Sequence, residues 1–203
     1  MKTPDFEKAK RLAAELLAAQ DSRLLEKIVL PVKDLCFNGK DIRFTTFDKY
    51  KAITGFDIAE TVEGETESVL VRRGKTYVIL VSDSVSGSRL NWDYAHELGH
   101  IYMGHTKDDR DSEVEANFFA AQLLMPEYSV YRLQQVLGRL EPLDLELVFG
   151  VNNAEARKRC NTFARKTSVN SGRTHLKIYE MQKGKIDKYA DQIMHDELII
   201  FNG

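Results

Sequence analysis

Two histidines stand four residues apart in the stretch AHELGHIYMGH, residues 95–105, with a glutamate directly after the first: His96, Glu97 and His100. Residues four apart on a helix share a face, with side chains about 5–6 Å apart, so both imidazoles can direct a ring nitrogen at one ion. Glu97 is rotated by about 100° from His96, near enough to reach water at that ion without ligating it. The pattern predicts two metal ligands and a proton acceptor; the plainer reading is a helix that carries two satisfied core histidines. A catalytic zinc ordinarily takes three protein ligands and keeps one position open, so a third donor has to come from another element.

Glu113 and Glu115, at the start of EVEANFFAAQLLMP, are the candidates. Either could equally be an ordinary acid favoured by the dipole in the first turn of a helix. Helical spacing favours Glu113. It shares its face with Ala116, Asn117 and Ala120, small enough to approach another helix around Gly99, whereas Glu115 aligns with Phe118, Phe119 and Gln122. Asn117 is one turn beyond Glu113, a position from which it could hold the second nitrogen of a ligating imidazole.

These residues need a scaffold. Apolar spacing predicts a helix over 5–20, a short one over 22–29 that stops before Pro31, and a β-hairpin formed by ESVLVRR and TYVILVS around Arg73-Gly74. After the polar loop SDSVSGS, Asn91 is expected to cap the histidine-bearing helix, which ends near Gly104. Asp111 or Ser112 is expected to cap the next helix, and Pro126 to end it. Further helices are expected over 127–137 and 153–165, and the tail reads as a strand with an indistinct ending. The expected class is α+β, mostly helical, with a small antiparallel or mixed sheet.

The 203 residues are 43% hydrophobic and 30% charged, which suits one substantial folded unit. A net charge of −2 provides no broad positive field for a polyphosphate, so direct nucleic-acid binding is not expected. No signal sequence or membrane span is evident, and a cytoplasmic location follows as an expectation. Cys36 and Cys160 lack metal-type spacing and are expected to be packing residues.

Taken together, AHELGHIYMGH and EVEANFFAAQLLMP resemble the ImmA/IrrE family of zinc-dependent endopeptidases, strongly over Arg89 to Pro126 with the preceding hairpin, and more weakly to about residue 165. The resemblance implies a zincin-like, gluzincin-like domain over 1–170, with 171–203 as a C-terminal extension. It implies one zinc per chain, with manganese as the alternative metal, held by His96, His100 and Glu113, and Glu97 as the catalytic base. Members of the family cleave bacterial or phage transcription repressors, often encoded nearby on mobile elements, which points to a protein substrate of that kind. An extended peptide would be expected to add along the edge of Tyr77 to Val81.

Two rival functions remain at this level. Residues 143–166, with Arg157, Lys158, Arg159, Arg165 and Lys166, have the outline of a helix-turn-helix DNA reader, although two packed helices with solvated basic residues explain them as well. A sensor that binds metal without turnover is the other. His105 reads as a surface histidine, and Tyr94, Tyr102 and Tyr128 as packing residues that could alternatively offer a phenol to an oxyanion.

Overall fold

A computed structural model describes residues 3–61, 67–107, 109–164, 169 and 171–201. The domain boundary expected at residue 170 falls outside them, as do Arg165 and Lys166. The chain forms two compact units, one of Met1–Leu12 with Pro31–Ala120, the other of Ala13–Leu30 with Ala121–Gly203. Helix α1 (Phe6–Ala18) and helix α5 (Arg110–Leu124) contribute residues to both. Among the described residues, no helix is long and apolar enough to cross a membrane.

The first unit is built on a three-stranded sheet in the order β1-β3-β2, where β1 is Asp41–Thr46, β2 Ser68–Arg73 and β3 Thr76–Val81. The hairpin forms as its turn residues require: Gly74 takes φ 61 between β2 and β3, a left-handed conformation that costs glycine little. β1 joins β3 in parallel, from Asp41 opposite Thr76 to Thr46 opposite Val81, and makes the sheet mixed. Neither β1 nor α3 (Phe47–Thr54), between β1 and β2, stands out in the sequence pattern. On one face the cross-strand pairs Val69–Leu80 and Val71–Val78 pack with Tyr50 and Phe47 of α3 and with Ile58. Phe44 of β1 meets Tyr94 of α4 (Gly87–Met103) edge-on, with ring centroids 4.8 Å apart.

α4 begins at Gly87, a turn before the expected cap. Asn91 instead lies inside the helix, where its Oδ1 accepts the Val32 amide at 3.1 Å and ties in the short 3-10 turn Val32–Asp34. A long-range partner thus replaces the local capping bond. The cap of α5 is also displaced: the Asp109 carboxylate, rather than Asp111 or Ser112, accepts a first-turn amide, from Ser112 at 2.9 Å.

The second unit is helical, with α2 (Ser22–Leu25), α6 (Glu127–Leu137), α7 (Pro142–Phe149), α8 (Asn153–Phe163) and α9 (Arg173–Phe201). α6 occupies the expected span. The tail is helix and not strand, because Ile178, Gln182, Ile186 and Ala190 recur every four residues and are all buried. α9 packs on α2, α6 and α7. Gln182 accepts the Ser129 hydroxyl at 2.6 Å in this interior. Cys36, expected inside, is exposed, with its thiol 3.1 Å from the Asn38 side-chain oxygen.

Candidate active site

The site begins with a close approach of two helices in the first unit. Gly99 of α4 lies directly against the Ala116 backbone of α5, so close that a Cβ on Gly99 would stand 2.8 Å from the Ala116 Cα. The small-residue face inferred from spacing therefore does meet α4 at Gly99. Glu113 is three residues before Ala116 on α5, and His96 and His100 flank Gly99 on α4, so this contact sets the distance between the carboxylate and the imidazoles.

The His96 and His100 Nε2 atoms lie 3.0 Å apart. One Glu113 oxygen is 3.5 Å from His96 Nε2, and the other is 3.3 Å from His100 Nε2. Four ligands at about 2.0–2.1 Å from a tetrahedral ion stand about 3.3 Å from one another. One ligand atom from each of the three residues lies within 4.8 Å of the other two, a spacing near that about a tetrahedral ion, and these residues could hold a divalent metal. Both histidines are largely enclosed, with side chains 16% and 6% exposed, while the Glu113 side chain, at 46%, borders solvent. The donor set has one open flank.

Glu97 is buried on α4 and accepts the Ser68 hydroxyl at 2.6 Å, a contact that reaches it from the first residue of β2. Sequence reasoning did not single out Ser68; it opens the hairpin strand that lies against α4. The candidates for holding an imidazole also change places. The Asn117 amide turns back to donate to the Glu113 carbonyl at 2.8 Å and is exposed. His105, expected at the surface, is the residue found behind His100: its Nδ1 lies 3.1 Å from His100 Nδ1, and its side chain is 9% exposed.

Glu115 lies outside this group. Its Oε2 is 2.8 Å from His105 Nε2, and its Oε1 accepts the Asp5 amide at 2.6 Å.

The signal that could have found His105 is Gly104. It ends α4 in a left-handed conformation, φ 78, and both Gly104 and His105 donate their amides to the His100 carbonyl. In such a helix ending the residue after the glycine folds back onto the last full turn, which here brings the His105 ring within 5.0 Å of the His100 ring.

The tyrosines behave as packing residues. Tyr94 sits against Phe44, and burial raises its pKa. Tyr102 stacks on Phe119 with centroids 5.6 Å apart, and burial pushes its pKa up to about 12. Tyr128, in the second unit, packs edge-on against Tyr179. The DNA-reader outline loses a residue it would need, since Arg159 is buried and donates to the Met125 carbonyl at 2.6 Å. Burial brings its pKa down to about 10, so the guanidinium still carries its charge inside the helical unit, unavailable to a phosphate.

A sequence profile for the IrrE N-terminal-like domain, Peptidase M78, matches residues 53–161, just over half of the chain. The match spans the hairpin, α4 to α7 and most of α8. A search of curated proteins finds no match.

Proposed function

From the premise that the chain belongs to the IrrE N-terminal-like family of metallopeptidases, we propose that it is a zinc endopeptidase whose metal is held by His96, His100 and Glu113. With a glutamate as third ligand beside the His-Glu-x-x-His pair, it would be of the gluzincin kind. The observation that carries the reading is the grouping of His96, His100 and Glu113, one ligand atom of each within 4.8 Å of the others, with the Glu113 side chain bordering solvent. Manganese in place of zinc would alter the cofactor and not the assignment.

When bound, the metal supplies Lewis acidity, toward the scissile carbonyl and toward water whose pKa it lowers to about 7. Glu97 accepts a proton from the attacking water at its carboxylate as the new C–O bond forms, then delivers that proton to the amide nitrogen as the C–N bond breaks. Ser68, by donating to Glu97 Oε1, holds the carboxylate in one orientation.

The expected docking edge for the peptide needs correction. β3 is the central strand, with β1 on one side and β2 on the other, so neither of its edges is free. Among the described residues β2 is an edge strand, and it also carries Ser68 to Glu97. An extended substrate therefore adds to β2. We take the substrate to be a transcription repressor, met in the cytoplasm of a bacterial host and encoded near this chain on a mobile element, as the resemblance of the two motif blocks implies.

The test is incubation with the repressor encoded beside this chain's gene, with and without a chelator, reading fragments by mass. Chelator-sensitive fragments are the expected result. An intact repressor in the presence of zinc would remove that substrate, and absence of any metal-dependent cleavage across a peptide library would remove the activity.

A further inference from the structure

The hydrogen-bond chain behind His100 has a direction. A carboxylate only accepts, so the 2.8 Å contact between Glu115 Oε2 and His105 Nε2 requires the proton to be on that nitrogen. A neutral His105 then presents a bare Nδ1, and the 3.1 Å contact with His100 Nδ1 requires the proton to be on the His100 side. A neutral His100 protonated at Nδ1 has its lone pair on Nε2, the atom that faces His96 Nε2 and Glu113. We propose that His105 and Glu115 are positioning residues that lock His100 in its Nδ1–H tautomer and so keep its Nε2 ready to bind metal. The proposal rests on the reading of His96, His100 and Glu113 as ligands.

The device is anchored at its far end. Glu115 Oε1 accepts the Asp5 backbone amide at 2.6 Å, and Lys8, one turn on, donates to the Met103 carbonyl at 2.8 Å, near the end of α4. The amino-terminal segment thus holds Glu115 from one side and the end of α4 from the other. His105 and Glu115 side chains are each 9% exposed, so water competes little for these bonds.

A merely structural His105–Glu115 ion pair would leave a different signature. With both His105 nitrogens protonated, Nδ1–H would donate to His100 Nδ1, and the His100 proton would move to Nε2, which could no longer ligate.

Long-range nitrogen–proton NMR on the metal-free wild-type chain, at about pH 8 where free imidazoles are neutral, distinguishes the two. The expected spectrum has His100 protonated at Nδ1 and His105 at Nε2; His100 protonated at Nε2 overturns the proposal. The second measurement is zinc affinity by chelator competition, for Glu115→Gln and His105→Phe. Loss of an imidazole's outer partner typically weakens metal binding about 10–100-fold, and that loss is expected here in variants whose metal-free form is still folded at the assay temperature. Zinc affinity unchanged in a folded variant overturns the positioning role but leaves the metal site standing. A wild-type chain that binds no zinc removes both. The NMR arm needs no variant and decides the matter if neither substitution folds.

Discussion

Gly99→Ala tests the geometry of the site without touching a donor atom. The added methyl would meet the Ala116 Cα at 2.8 Å, its carbonyl oxygen at 2.9 Å and its carbonyl carbon at 3.2 Å, all backbone atoms that cannot swing aside. Ordinary carbon contacts begin near 3.4 Å, so α4 and α5 must part locally by about 0.6 Å. Alanine in place of glycine favours a helix by up to about 1 kcal/mol, whereas forcing a methyl into a closed contact costs about 1–3 kcal/mol. With backbone as the obstacle the cost is at the upper end, and a net loss of about 1–2 kcal/mol is expected in urea unfolding of the metal-free chain. The same movement would open the 3.3 Å gap between His100 and Glu113 to about 3.9 Å. Zinc sites tolerate only about 0.2 Å in their bonds, so affinity should fall at least about tenfold. A Gly99→Ala chain that is as stable as wild type and binds zinc equally well would refute the idea that this contact spaces the ligands.

Gly184 provides the opposite case, since it lies inside α9 with nothing within 4 Å of a Cβ; Gly184→Ala is expected to stabilise by about 0.5–1 kcal/mol in the same assay, and a loss would show that the helix bends there. The purified chain should carry one zinc, and His96→Ala or His100→Ala should abolish it; elemental analysis that finds full zinc in either variant would remove that residue from the ligand set. Glu113→Gln should weaken zinc binding more than Glu115→Gln, because the first removes a donor and the second only a support; the reverse order in chelator competition would exchange their roles. Glu97→Gln should keep zinc and fold while peptide cleavage falls by about two to four orders of magnitude. Wild-type cleavage rates in that variant would dismiss Glu97 as the base and make the metal-binding sensor the leading reading.

What the sequence made legible is what short-range chemistry decides. The hairpin followed from two β-rich runs about Gly74, α6 from its apolar spacing, and the histidine pair from the four-residue repeat of a helix. Even the long-range contact at Gly99 was foreshadowed, since a face of Ala116, Asn117 and Ala120 is of use mainly where backbones must come close. Elements whose identity depends on a distant partner were not legible. Among the described residues β1 is an edge strand that exists through its pairing with β3, and its own burial alternates weakly; Asn91 has the residue type of a cap but is committed to Val32. The tail misled because Leu176 and Ile178 alternate like a strand, a local period that the four-residue burial from Ile178 to Ala190 overrides once α6 is there to pack against.

The surroundings of the donor set show why a motif is not yet a site. His-Glu-x-x-His fixes where two imidazoles point, but neither the tautomer proposed for His100 nor the carboxylate proposed as third ligand is written in those five residues. Both depend on a glycine: Gly104 reverses the chain so that His105 reaches the back of His100, and Gly99 lets α5 come near enough for Glu113 to reach its front. The two glycines do this by different physics. Gly104 is needed for its left-handed backbone, φ 78, with open space around it, and Gly99 for the absence of a side chain in an ordinary helix. Asparagine, which tolerates the left-handed region, should therefore preserve most of the zinc affinity at 104 and lower it at least about tenfold at 99. Any side chain at 99 meets the same backbone of Ala116, so zinc affinity measured in the two asparagine variants separates a requirement for conformation from one for space.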